Sequence, residues 1–378
     1  MATHDDSDAF VHFEESDFFN TRKDARQERR LITKRDRSKF KKTDQEQLKK
    51  NVEHSKEALS DSLIEGLVIN IRSQDITVSH DNHLFTCTLR GVLKKENVQK
   101  RNLIIVGDKV LFQKIDGTSG VVVEIRERKS IISRSDPLDQ KKEHLLVANV
   151  DQVFITVSCI DPPLRPAIID RYIIAAQRGN VRPIIVCNKV DLLQDASIES
   201  FLLEKGKEIF EECRRVYREL GIQFIETSVT TLQGIEELKA LMKDKISAFC
   251  GQSGTGKSSI LGLILGQSLR VGKTVQRTKK GSHTTTFAQL FSIPQGGWCV
   301  DTPGIKSFGV WKLTPNQVRK FYPEFEALSS ECQFPDCSHR GEKGCAIEKA
   351  LEENKISPFR YESYLSLLSS VEDKHLRR

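Results

Sequence analysis

The residues Gly251, Gln252, Ser253, Gly254, Thr255, Gly256, Lys257 and Ser258 form the segment richest in chemistry. They fit G-x-x-x-x-G-K-[ST], a loop whose backbone N–H groups close around phosphate oxygens. Lys257 would neutralise the β- and γ-phosphates, and Ser258 would ligate Mg2+. Asn188, Lys189, Val190 and Asp191 suit the other end of a nucleotide. The carboxylate of Asp191 can accept both N1–H and N2–H2 of guanine, a donor pair that adenine lacks. Asn188 would hold this loop and touch the base, and the stem of Lys189 would lie along the base plane. Asp301-Thr302-Pro303-Gly304 fits D-x-x-G. It places a carboxylate near Mg2+ through water and the Gly304 N–H near the γ-phosphate, where it senses that phosphate. One of Thr284, Thr285 and Thr286 would complete the Mg2+ shell, and Ser228, after Thr227, would give a backbone contact to guanine O6.

Together these signals describe a GTPase. Many GTPases place a glutamine after D-x-x-G to orient the attacking water. Ile305 stands there and cannot hydrogen-bond water, so a slow intrinsic rate is expected. His283, beside the threonines, is the candidate in cis, and the alternative is a group supplied in trans by a partner. Lys257 and Asp301 complete the candidate catalytic set. A second kind of chemistry follows: Cys332, Cys337, His339 and Cys345 offer three thiolates and an imidazole within fourteen residues, which suits one tetrahedral Zn2+ per chain. The other six cysteines lie scattered, mostly in apolar runs, as plain core residues.

The order of the nucleotide motifs is rotated. The base-reading motif at 188–191 precedes the phosphate loop at 251–258, which implies a circular permutation. The elements around the motifs fit an α/β domain with a mainly parallel sheet. VDQVFITVSCI, RPIIVCNKVDLL, IQFIETS, KISAFC, FAQLFSI and GGWCVDTPG read as strands. Helices are expected up to Gly179, over 197–220, in GIEELKALMKDKIS and after the phosphate loop. Before this domain, residues 63–129 hold β-branched runs separated by turn signals, which suggest a small barrel of four or five strands with hairpin turns at Gly107-Asp108 and Asp116-Gly117. After it, helices are expected around 315–328 and 344–376. The expected division is a charged, disordered arm at 1–62, the barrel at 63–132, the permuted GTPase domain at 133–310 and a zinc-binding helical domain at 311–378.

Charge and composition narrow the function classes. No apolar run approaches the ~20 residues that span a bilayer. The N-terminus has no secretory pattern, and nine cysteines are an odd number that suits a reducing compartment. The arm carries six acidic and no basic residues in its first twenty, then fourteen basic and seven acidic residues over 21–60, with a basic helix conceivable from Asp24 to Lys50. Residues 251–300 hold six basic residues and no acidic one, so a nucleic-acid phosphate is the expected partner near the threonines.

From Leu63 onward the chain resembles the RsgA (YjeQ) family of small-ribosomal-subunit GTPases. The resemblance rests on G-x-S-G-x-G-K-S-S at Gly251–Ser259, H-T-T-T at His283–Thr286, D-T-P-G at Asp301–Gly304, the C-x4-C-x-H-x5-C cluster, the barrel and the rotated order. Thr255 stands where the family usually has Val, and Ser282 where it has Arg. The resemblance implies an OB-fold barrel, a permuted GTPase core and a zinc domain. It adds Ser259 to the GTP-binding set. It implies a cytoplasmic, monomeric factor that binds GTP and GDP, the 30S subunit and 16S rRNA, and no membrane. Hydrolysis would be stimulated by the subunit and followed by release. Two other readings stay open: an RNA-binding assembly factor with little GTPase activity, and a permuted GTPase acting on the large subunit.

Overall fold

The computed structural model describes residues 63–91, 103–135, 143–266, 288–301 and 313–376. The charged arm and the basic helix expected in it lie outside them. Five strands open the described chain: β1 (Leu63–Arg72), β2 (Asp75–His80), β3 (His83–Leu89), β4 (Lys109–Lys114) and β5 (Ser119–Ile125). Their order is β1-β2-β3-β5-β4, with β4 pairing back onto β1 and β3 parallel to β5, so the barrel closes. This is the OB-fold arrangement. Alternate residues point inward, and Val68, Ile76, Val78, Phe85, Cys87, Val110, Phe112 and Val122 fill the interior. The Asp116-Gly117 segment joins β4 to β5 as expected, with Asp116 accepting the N–H groups of Thr118 and Ser119. Gly107-Asp108 is not a hairpin turn. It leads into β4 from a crossing segment, and the buried Asp108 carboxylate takes both the Nε and a terminal N–H of Arg128, at 2.7 and 2.9 Å.

A two-stranded ribbon of β6 (Ile131–Ser135) and β7 (Glu143–Ala148) leads out of the barrel, an element not legible beforehand. Then come β8 (Gln152–Ser158), helix α1 (Pro166–Arg178), β9 (Arg182–Asn188), helix α2 (Ser200–Glu219), β10 (Gln223–Glu226), helix α3 (Ile235–Met242), β11 (Ile246–Cys250), helix α4 (Lys257–Leu265), β12 (Gln289–Ser292) and β13 (Trp298–Asp301). Strands β10-β9-β8-β11-β13 are parallel, and β12 runs antiparallel at their edge. All seven residues of β8 are buried, as a central strand with helices on both faces requires. Val153, Ile155 and Val157 pack toward α1 and α2, whereas Phe154 packs toward α3 and α4.

Strand β1 belongs to two cores. Val68 points into the barrel, while Ile69 joins the apolar cluster of the parallel sheet, and Asn70 pairs with Gln289 of β12. The chain ends in helices α5 (Pro315–Arg319), α6 (Pro323–Leu328), α7 (Ala346–Glu352) and α8 (Pro358–Leu376). Among the described residues no helix is long and apolar enough to cross a membrane.

Helix α1 lies between the sheet and α8. Its residues from Ile169 to Ala176 are buried almost all round, with Ile174 reaching the C-terminal apolar cluster. Asp170, 1 % exposed, pairs with Arg360 of α8 and accepts the Tyr217 hydroxyl at 2.8 Å. Arg360 also pairs with Glu324 and lies 4.3 Å over the Tyr322 ring. Burial alone would pull the guanidinium down, but Asp170 and Glu324 more than offset this and hold it above its ordinary range. Replacing Arg360 with Ala leaves two carboxylates without their counter-charge. Arg360→Ala is expected to lower stability by about 3–5 kcal/mol in urea denaturation. A loss below about 1 kcal/mol, the worth of an exposed pair, would contradict this role.

Candidate functional site

Parallel strands end on one edge of their sheet, and in such folds ligands bind at that carboxyl edge. Asn188 is the last residue of β9, Thr227 and Ser228 follow β10, Gly251 follows β11, and Asp301 ends β13. Groups spread over more than a hundred positions thus share one edge.

The phosphate-type loop is shaped by close backbone approach. Gly251 has φ +127°, and a Cβ there would stand 2.0 Å from the Thr156 carbonyl oxygen. Thr255 is fully buried, and its hydroxyl donates to the Gln252 carbonyl at 3.0 Å, so this departure from valine leaves no unpaired polar group. Lys257 opens α4 and lies back over the loop, donating to the carbonyls of Gly251 (3.0 Å) and Gln252. Ser258 and Ser259 follow in the first turn of the same helix, where free N–H groups favour anions.

Asn188 joins the two halves of the edge. Its side-chain N–H donates to the Thr255 carbonyl at 2.9 Å, and its side-chain oxygen accepts the Thr227 hydroxyl at 3.2 Å. Gly256 has φ +86°, and a Cβ there would lie 2.2 Å from the same asparagine nitrogen. The base-type loop, the 227–228 segment and the phosphate-type loop are therefore hydrogen-bonded into one surface. Ser228 is fully buried, and its hydroxyl accepts the Thr231 N–H at 3.1 Å. Asp191 sits in a short 3-10 turn, Val190–Gln194, directly after Lys189. Lys189 donates to the Asp161 carbonyl at 2.7 Å. Sequence reading missed Ser158 and Asp161, whose only signal was the Asp-Pro-Pro that bounds β8. His283, Thr284, Thr285, Thr286, Gly304 and Ile305 lie outside the described residues, as does the side chain of Asp301.

The second cluster is separate. The ligand atoms of Cys332, Cys337, His339 and Cys345 all lie within 4.8 Å of one another. His339 Nδ1 is 3.7 Å from Cys332 Sγ and 3.5 Å from Cys345 Sγ. Ligands about a tetrahedral ion at 2.0–2.3 Å stand roughly 3.5–3.8 Å apart, so the group fits a metal. Burial pushes the Cys337 thiol up to about 12 and the Cys345 thiol up as well, while it pulls His339 down. Only a cation makes buried thiolates favourable here. The loop is braced by Glu342. Burial pushes its carboxyl up, but the Ser338 hydroxyl and the N–H groups of Arg340 and Ser338 outweigh this and hold it at about 2.

Comparison with known proteins decides the family. A model described as RsgA GTPase matches residues 125–311. The small ribosomal subunit biogenesis GTPase RsgA of Haemophilus influenzae (strain PittGG) is 36% identical over 352 residues, which are 92% of this chain and 96% of that protein. The chain belongs to the RsgA GTPase family. The protein of the same name from Chlorobaculum parvum is 38% identical over 281 residues, covering 72% of this chain and 86% of the relative. The crystal structure of YjeQ from Thermotoga maritima superposes with a TM-score of 0.64 at 30% identity, over 82% of this chain and 98% of that one. YloQ, described as a circularly permuted GTPase, shares the fold with a TM-score of 0.63 at 24% identity, over 82% of this chain and 96% of its own. The protein is thus a GTP-hydrolysing enzyme with a circularly permuted core, an OB-type barrel and a C-terminal cluster able to hold a metal ion.

Gly256→Ala tests the seam between the loops. The added methyl must displace Asn188 and also strain a left-handed backbone. GTP hydrolysis is expected to fall at least a hundredfold, and a rate within threefold of wild type would contradict the packing.

Proposed function

We propose that this enzyme binds the small (30S) ribosomal subunit and acts in its late maturation, hydrolysing GTP to GDP and phosphate under stimulation by the subunit and leaving it afterwards. The observation that carries the GTP part is the Asn188–Thr255 hydrogen bond, which fixes the base-type loop against the phosphate-type loop. Similarity over 92% of the chain to a protein named for small-subunit biogenesis supports the partner.

In this reading Gly251 to Ser259 cradle the phosphates, with Lys257 on the β- and γ-phosphates. Asp191 reads guanine, Asn188 and Lys189 position it, and Ser228 lies beside O6. Ser258, Asp301 through water, and one of Thr284 to Thr286 would hold Mg2+, which supplies charge neutralisation at the phosphates when bound. Gly304 senses the γ-phosphate. His283 in cis or a group of the subunit in trans orients water that Ile305 cannot. Cys332, Cys337, His339 and Cys345 hold one structural Zn2+. The parts divide as a charged arm at 1–62, a barrel at 63–132, a GTPase core at 133–310 and a zinc unit at 311–378. The basic residues from Arg270 to Lys280 meet 16S rRNA phosphates. The factor works as a cytoplasmic monomer.

Phosphate release from GTP, measured with purified small subunits, large subunits and neither, tests the proposal. Acceleration of tenfold or more by small subunits alone is expected. Equal rates in all three arms would sink it, and acceleration by large subunits alone would move the partner. Elemental analysis should also find one zinc per chain. Chelation is expected to lower the melting temperature of the full protein, whereas a chelator-insensitive melt would remove zinc from the account.

A further inference from the structure

Lys189 is positioned by a neighbouring strand more than by its own loop. Its backbone is left-handed, with φ +64°, a conformation that a lysine holds only when its surroundings dictate it. Those surroundings come from the turn after β8. The Cys159 N–H donates to the Asn188 carbonyl at 3.4 Å, and the Cys159 thiol donates to the Lys189 carbonyl at 3.0 Å. The Lys189 ammonium donates to the Asp161 carbonyl at 2.7 Å. The same carbonyl accepts the Ser158 hydroxyl, also at 2.7 Å.

Ser158 is the last residue of β8 and 1 % exposed, so its hydroxyl has no water to turn to. It is committed to the Asp161 carbonyl and fixes where that acceptor stands. Pro162, next in the turn, lies 3.6 Å from where a Cβ on Gly254 would be, so the turn also rests against the phosphate-type loop. The Asp161 carboxylate is a poor anchor by comparison: it is 82% exposed and 3.9 Å from the ammonium.

We infer that Ser158 is a positioning residue for guanine-nucleotide binding. By fixing the Asp161 carbonyl it holds the Lys189 ammonium, and thereby the stem of that side chain, where the base must lie. The inference rests on reading Asn188 to Asp191 as the base loop.

A double-mutant cycle on the full-length protein, with GDP binding followed by calorimetry, tests it. Ser158→Ala is expected to weaken GDP about fivefold, the worth of one such hydrogen bond. Lys189→Met weakens GDP too, and adding Ser158→Ala to it is expected to cost nothing more. Ser158→Cys, which keeps the side-chain shape but offers only a weak donor to the same carbonyl, is expected to behave as Ser158→Ala does and serves if that variant does not fold. Equal costs with and without Lys189 would overturn the inference, because Ser158 would then act on the fold and not through the lysine. Unchanged GDP affinity in Ser158→Ala would overturn it as well. Asp191→Asn, measured alongside, separates the two ideas. Wild-type GDP affinity in that variant sinks the base-loop reading itself, whereas weak GDP there with no effect at Ser158 sinks only the positioning role.

Discussion

A carboxylate buried on helix α1 constrains how the sheet layer and the C-terminal helices of this protein fit together. Asp170 sits between the sheet and the C-terminal helices, where an ion without a partner is prohibitively unfavourable. Its partner, Arg360, comes from α8, some 190 residues along the chain. Glu324 holds the same guanidinium from α6, and Tyr217 closes the network from α2. A charge pair of this kind is a weak source of net stability but a strict demand on geometry, since losing one member strands the other. The unit carrying the Cys332–Cys345 cluster is therefore docked in one place, on the helix that follows the Asp161 turn holding Lys189.

The barrel is joined with similar economy. Strand β1 feeds side chains to both cores, and Asn149 spans the joint by donating to the Gly107 carbonyl while accepting the Lys129 N–H, both at 2.9 Å. Asp108 and Arg128 form a paired, largely buried bridge beside it. Residues Leu63–Arg378 accordingly group as one compact unit.

The phosphate-type and base-type loops were legible because each is a short local pattern whose chemistry needs fixed spacing. The strands that carry them announced themselves as apolar runs, and the parallel topology then placed the loops on one edge. The closed barrel followed from alternating β-branched runs. What escaped was set by partners distant in sequence. The helix expected up to Gly179 forms, but α1 is buried almost all round because α8 covers the side away from the sheet, which no local pattern shows. The β6–β7 ribbon was not expected at all, since only the pairing of its two strands distinguishes it. Gly107-Asp108 has hairpin composition, but its aspartate is spent on Arg128. Helix α2 was expected from 197 and begins at Ser200, because Asp195 turns back to take the Ser197 N–H at 2.9 Å. Ser158 carried no motif at all: its role appears only once β8 and β9 lie side by side.

The central claim is that loops in rotated sequence order converge on one nucleotide site. Hydrogen–deuterium exchange of the full chain with and without GDP tests this most directly. Simultaneous protection of residues 187–191, 227–229 and 251–259, with the barrel strands unchanged, is the predicted result. Protection confined to 251–259, with the Asn188 and Ser228 segments exchanging as in the free protein, would contradict it.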